Sequence, residues 1–209
     1  MAKRQGDHHS SNVSPLSATG PTATASITAT TNSPLRFLIT DCPTHSNLNH
    51  YLEVFQTAGV TDVVRVCDSA TYPAEVLERA GIRTHHWHYP DGLQYPPNRV
   101  IRQWFQLVRE RAHQAAEQSS TTAIPSTTDS SPPLSSLASS SSLPTLGGMT
   151  IAIHCVSGLG RAPLLVTMAL VANGMAPATA IELVRRKRRG ALTIEQVDYL
   201  MGYADRLCP

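Results

Sequence analysis

In the stretch Ile151-Ala-Ile-His-Cys-Val-Ser-Gly-Leu-Gly-Arg-Ala-Pro163, one cysteine precedes one arginine by six residues. That pairing suits nucleophilic attack on a phosphate ester. A thiol attacks phosphorus well only as a thiolate, so Cys155 needs electropositive surroundings. The loop residues Val156, Ser157, Gly158, Leu159 and Gly160 can supply them through backbone N–H groups. The two glycines are expected to let the chain curl into an anion nest at the N-terminus of the next helix, where the helix dipole adds positive charge. Arg161 then offers a planar fork for two phosphate oxygens, a geometry that a lysine does not reproduce. The competing reading of Cys155 is a buried core cysteine, since free cysteine is among the most buried residue types.

Displacement of an alkoxide or phenoxide also needs a proton donor from another loop. Asp91 is the leading candidate, because it follows an apolar strand in the proline- and glycine-flanked loop Pro90 to Pro97. Such a loop can hold a carboxyl group over a pocket. The plain alternative is a turn aspartate before Gly92, and Asp68, which also follows a strand, ranks second. His154 is not expected to be the base paired with Cys155, because adjacent residues on a strand face opposite ways. Its expected place is behind the loop, holding the cysteine backbone by hydrogen bonds. His85, His86 and His88 lack a second ligand cluster, so no metal site and no cofactor is expected.

These residues need a scaffold. Strands are expected at 35–40, 61–66, 82–89 and 149–153, and helices at 47–58, 73–80, 98–112, 161–173, 177–189 and 193–205. Strands separated by helices imply an α/β fold with a central, mainly parallel twisted sheet flanked by helices. Such sheets carry ligands at the carboxyl ends of their strands, where Cys155 falls.

The 209 residues hold one compact domain with appendages. Residues 1–34 contain no aromatic residue and are rich in Ser, Thr, Ala and Pro, so a disordered tail is expected. The domain, 35–209, is expected to be interrupted at about 115–148 by a disordered insertion, with eleven serines between Ser119 and Pro144. The net charge is +2, and setting aside the five cations Arg185, Arg186, Lys187, Arg188 and Arg189 leaves −3 elsewhere. That run could make weak, salt-sensitive contact with anionic membrane, or it could simply be a solvated helix end before Gly190. No nucleic-acid partner is expected. Cys42, Cys67, Cys155 and Cys208 lack zinc-like spacing, and no secretory signal precedes them. A reducing, cytoplasmic setting is therefore expected.

The segment His154 to Arg161 matches the His-Cys-x-x-Gly-x-x-Arg pattern of cysteine-dependent protein tyrosine phosphatases. Ala162-Pro163 stands where most of that superfamily has Ser or Thr after the arginine, and this variant resembles the phosphatase of regenerating liver (PRL, type IVA) family. Arg36 to Thr44, Gly59-Val-Thr61, Val64-Arg-Val-Cys67, Trp87, Asp91-Gly92, Pro96-Pro97 and Lys187 to Ala191 look like further landmarks of that family in order. The resemblance spans roughly residues 35–113 and 149–206.

It implies the dual-specificity phosphatase fold, a phosphoprotein substrate, Cys155 as nucleophile, Arg161 as phosphate ligand and Asp91 as general acid. It also implies Cys67 as a reversible disulfide partner protecting Cys155 from over-oxidation. Members of the family also grip cyclin-M-type magnesium transport mediators through the same pocket, which implies a second, binding use. Alanine at position 162 cannot donate the hydrogen bond that helps the thiolate leave the phosphoenzyme, so slow turnover and a persistent phosphocysteine are expected. Three positions depart from the family pattern. Ser157 replaces an alanine, Pro90 replaces an acidic residue, and Cys208-Pro209 replaces a prenylation box, so lipid anchoring through Cys208 is not expected.

Overall fold

A computed structural model describes residues 27–28, 35–67, 71–93, 95–121 and 148–203. The strands are β1 (Ile27–Thr28), β2 (Arg36–Thr40), β3 (Val60–Arg65), β4 (Arg83–His86) and β5 (Thr150–His154). The helices are α1 (Leu48–Thr57), α2 (Glu75–Arg79), α3 (Asn98–Thr121), α4 (Arg161–Ala172), α5 (Pro177–Lys187) and α6 (Ile194–Met201).

The sheet order is β1-β2-β5-β3-β4. All pairs are parallel except β1 with β2. β5 is central, and each of its residues is buried, as expected of a strand covered on both faces. Alternation along the strands divides the core in two. Phe37, Ile39, Val64, Ile151 and Ile153 face the layer of α3 to α6. Leu38, Val63 and Ala152 face the layer of α1 and α2. α4 is buried at almost every residue, so its even apolarity marks the central helix of its layer rather than an amphipathic one.

Asp62 anchors the β3 edge of the core. Its carboxylate is fully buried and accepts hydrogen bonds from Arg111 (2.7 and 3.0 Å) and Arg83 (3.1 and 3.2 Å), with His85 Nε2 at 2.9 Å. Burial alone would raise its pKa, but the bonds from His85, Arg111, Arg83 and Thr61 overcome that and hold it well below the usual carboxylate range. His85, one of the three neighbouring histidines, is thereby engaged with a carboxylate.

Several element boundaries differ from the sequence expectation. β4 ends at His86 rather than Tyr89, and α6 ends at Met201 rather than Asp205. α3 runs past Ala112 to Thr121, because Ala115 still packs on the core and Ala116, Glu117 and Gln118 after it are good helix formers. Residues 115–121 of the expected insertion are therefore part of α3. Within the 1–34 segment, Ile27 and Thr28 pair with Phe37 and Arg36 as an added antiparallel edge. The other residues of that segment, 122–147, Asp68 and Cys208 lie outside the described residues. α5 ends at Lys187 rather than Arg189, since Arg188 turns to extended backbone (φ −131°, ψ 93°) and is only 7 % exposed.

Candidate active site

Parallel register brings Thr40 of β2 and Arg65 of β3 to either side of His154. The chain then leaves the sheet at Cys155, which is buried, and residues 156–160 form the loop before α4. Four loop carbonyls are tied outward. His154 O accepts from Val66 N (3.1 Å), Val156 O from Cys42 N (2.9 Å) and Leu159 O from Leu192 N (2.8 Å). Ser157 O accepts from Arg188 Nη2 (2.7 Å). No peptide here is cis, and a trans peptide sets N–H opposite C=O, so the outward carbonyls turn the N–H groups of Cys155, Ser157, Gly158 and Gly160 toward the loop's hollow. This is the geometry of an anion nest.

The two expected glycines differ in the space around them. Gly158 has φ +68°, and a Cβ there would lie 2.4 Å from Thr40 O. Gly160 has φ −114° as the N-cap of α4, and a Cβ there would meet only the Gln196 amide at 3.6 Å. Gly160 thus has room for a side chain, whereas Gly158 has none. Arg161, Ala162 and Pro163 open α4, and Pro163 loses no intrahelical donor in that first turn.

Arg161 is held from behind. Its Nη1 donates to Val66 O (3.2 Å) and Tyr89 O (2.9 Å), and its Nη2 lies 3.2 Å from Asp91 Oδ2. Its Nε is buried without a hydrogen-bond partner. The fork therefore presents its Nε–Nη2 edge, one N–H unsatisfied and the other on an Asp91 carboxylate that is 76 % exposed. Leu93 and Tyr95 follow Asp91 as exposed apolar residues, and Tyr95 stacks on Tyr199 of α6 at 4.2 Å between centroids.

His154 lies behind the loop. Its Nε2 is 2.7 Å from Tyr72 Oη, and its Nδ1 is 3.3 Å from Cys155 O and 3.7 Å from Cys67 Sγ. Cys67 is buried. Sequence reasoning missed four participants: Arg188, Gln196, Tyr72 and Cys42. Arg188 looked like one cation of a solvated run, and its hydrogen bond to Ser157 crosses 31 residues. Arg185 likewise turns back onto Ala191 O (3.1 Å) and Leu192 O (2.9 Å). The Thr193/Gln196 capping box of α6 was legible as spacing, but the approach of its amide to Gly160 was not.

The fold and this Cys-to-Arg loop define a cysteine-dependent phosphatase of the tyrosine and dual-specificity class. Human DUSP28 shares the fold (TM-score 0.53, 14 % identical, covering 91 % of this chain and 100 % of that one). A putative protein tyrosine phosphatase from Leishmania major is nearer (TM-score 0.65, 33 % identical, covering 87 % and 98 %). Mouse protein tyrosine phosphatase type IVA 2 is 35 % identical over 173 residues, 83 % of this chain and 84 % of that protein. The chain belongs to the protein tyrosine phosphatase type IVA, or PRL, family, and is a cysteine-based protein tyrosine phosphatase. No family model matches it.

Proposed function

We propose that Cys155 Sγ attacks the phosphorus of a phosphoprotein, forming an S–P bond as the ester P–O bond breaks, and that Asp91 gives its proton to the departing oxygen. Water then attacks phosphorus and releases the thiolate. The observation that carries this reading is the Nε–Nη2 edge of Arg161. A buried N–H without an acceptor calls for a ligand, and the same edge can take two phosphate oxygens once Asp91 lets go of Nη2. Hydrolysis of an aryl phosphate tests it. Cys155→Ser should abolish turnover, and an unchanged rate would sink the assignment.

Turnover is slow in this reading. Ala162 is buried at the start of α4 and carries no hydroxyl to assist thiolate departure. Cys67 serves as the disulfide partner of Cys155, as the resemblance implies.

A second use of the pocket is binding. Val156 (59 % exposed) and Leu159 (37 % exposed) of the phosphate loop, with Leu93 and Tyr95 of the Asp91 loop, put exposed apolar side chains on both loops of the proposed site, which favours a macromolecular partner. A cyclin-M-type magnesium transport mediator is the partner the resemblance supports, and loss of its binding on Leu159→Asp would test that. The protein is cytoplasmic and peripheral in this reading. Arg186, Lys187 and Arg189 are exposed and can touch anionic membrane, while buried Arg188 contributes nothing to that face. Liposome binding that ignores salt would exclude an electrostatic contact. Among the described residues, no helix is long and apolar enough to cross a membrane.

A further inference from the structure

Two thiols that the phosphatase reaction does not use touch each other beside the nucleophile. Cys42 Sγ lies 3.7 Å from Cys67 Sγ, the contact distance of two sulfurs. Cys42 follows β2 and Cys67 follows β3, and β5 runs between those strands. The two chains thus converge across the end of β5, directly behind His154 and Cys155. The sequence gives Cys42 no role beyond being one of four cysteines.

The environments of the two thiols are unequal. Cys42 is partly exposed, whereas Cys67 is 1 % exposed and Cys155 is buried as well, so a soluble oxidant meets Cys42 first. Thr71 Oγ1 lies 3.0 Å from Cys42 Sγ, and the Cys67 thiol can donate to the same sulfur. The Cys67 hydrogen bond pulls the Cys42 thiol pKa down, and the same shared proton, with burial, pushes that of Cys67 up. A thiolate held against a thiol is the arrangement from which a disulfide forms.

A metal is the other occupant this cluster suggests, since Cys42, Cys67 and His154 place their ligand atoms within 4.8 Å of one another. Both imidazole nitrogens of His154 are already engaged, Nε2 with Tyr72 Oη and Nδ1 with Cys155 O. Coordination through Nδ1 would release the contact that holds the nucleophile's backbone. The geometry favours the dithiol.

We propose that Cys42 and Cys67 form a reversible disulfide under hydrogen peroxide, so that Cys42 competes with Cys155 for one partner thiol. The Cys42 thiolate attacks peroxide, the O–O bond breaks, hydroxide leaves and a sulfenic acid forms. The released hydroxide takes the Cys67 proton, the resulting Cys67 thiolate attacks the Cys42 sulfur and the S–O bond breaks, and the departing hydroxide takes up the proton that the Cys42 thiol had given to solvent. Two thiols have lost two electrons and two protons, and one peroxide has become two waters. A dithiol reductant reverses the reaction.

This gives the site two oxidised forms. With Cys42 joined to Cys67, the Cys155 thiol stays free. With Cys67 joined to Cys155, which rests on the proposed redox role of Cys67, the nucleophile is blocked. In that second form the Cys42 thiolate can attack Cys67 Sγ and release the Cys155 thiolate, restoring the nucleophile without an external reductant.

The test treats the full chain, and its Cys155→Ser and Cys42→Ser variants, with near-stoichiometric hydrogen peroxide. Free thiols are then alkylated and linked peptides mapped by mass spectrometry without reduction. The Cys42–Cys67 linkage should dominate in the unsubstituted and Cys155→Ser proteins, with Cys155 of the former still alkylated, and dithiothreitol should remove it. In Cys42→Ser, the Cys67–Cys155 linkage should rise severalfold, with thermal unfolding confirming that the variant is folded. The proposal is overturned if folded Cys155→Ser protein gives no Cys42–Cys67 linkage. It is equally overturned if the untreated protein carries one chelator-releasable zinc that shields both thiols. The Cys155→Ser arm needs no catalysis, so its failure is separate from failure of the phosphatase reading, which aryl phosphate hydrolysis reads independently.

Discussion

Asp91 Oδ2 lies 3.2 Å from Arg161 Nη2, so the proposed acid and the proposed phosphate ligand hold each other before substrate arrives. In the proposed reaction phosphate displaces the carboxylate from Nη2, and the freed carboxyl group protonates the leaving oxygen. Asp91→Ala should lower kcat for an alkyl phosphate by about 10²-fold, in the range of general acid catalysis. It should cost far less for p-nitrophenyl phosphate, whose leaving group needs little protonation. The carboxylate no longer competes for Nη2, so binding of vanadate should be as tight or tighter. Equal losses on both substrates would remove Asp91 from the acid role.

Arg188 holds the far wall of the loop through its 2.7 Å bond to Ser157 O. A hydrogen bond from a charged donor contributes about 1.5–3 kcal/mol, and here it fixes the peptide whose other side presents the Gly158 N–H. Arg188→Ala should weaken vanadate binding about tenfold and raise KM, with Arg188→Lys recovering part of the loss. An Arg186→Ala control, on an exposed side chain of the same run, should leave both unchanged. Titration with vanadate separates the two variants.

The two loop glycines should respond differently to the same substitution. In Gly158→Ala the new methyl would meet Thr40 O at 2.4 Å and Arg188 Nη2 at 2.7 Å, with φ at +68°. Overpacking of this kind destabilises by about 1–3 kcal/mol, and relief must come from shifting the loop backbone. Phosphatase activity should be lost. Gly160→Ala meets ordinary contact distances and should keep most activity. Comparable loss in both variants would mean that Gly160 needs its freedom in a state other than this one.

Ala162 is packed at the start of α4, next to the proposed phosphate ligand. Ala162→Ser supplies the missing donor to the departing thiolate. A hydrogen bond of about 1 kcal/mol corresponds to about a fivefold faster breakdown of the phosphoenzyme. Rapid-quench kinetics should show a smaller phosphocysteine burst and a faster steady state. An unchanged burst would place the slow step elsewhere.

Residues adjacent in sequence were the legible part of this site. Cys155, Arg161 and the strand and helix around them announce themselves because one strand, one loop and one helix N-terminus carry the chemistry. Asp91 was legible as a loop carboxylate, but its pairing with Arg161 depends on how two distant loops fold over one sheet edge. Arg188 was misread because local rules assign a basic run before glycine to solvent and to the helix dipole. The tertiary carbonyl of Ser157 overrides those rules. Cys42 was silent for the same reason: its meaning lies in a sulfur 25 residues away, brought near by the convergence of β2 and β3 across the end of β5.

Asp62 provides a test of the scaffold that is independent of the chemistry. Its carboxylate is buried among Arg111, Arg83 and His85, and its pKa lies well below the ordinary value of 3.8. A native pKa lower than the unfolded one means that the unfolded chain takes up the proton first as pH falls. The stabilisation from Asp62 is therefore complete above about pH 5 and drains away as pH falls through the unfolded value toward the depressed native pKa. Asp62→Asn removes one partner of a buried ionic cluster and leaves Arg111 without its counter-charge, a change that costs about 3–5 kcal/mol in comparable sites. Chemical denaturation at neutral pH should show that loss. Repeated from pH 7 to pH 3, the wild-type midpoint should fall more steeply than that of Asp62→Asn, so the two curves converge in acid. Parallel curves would mean that another carboxylate governs acid unfolding.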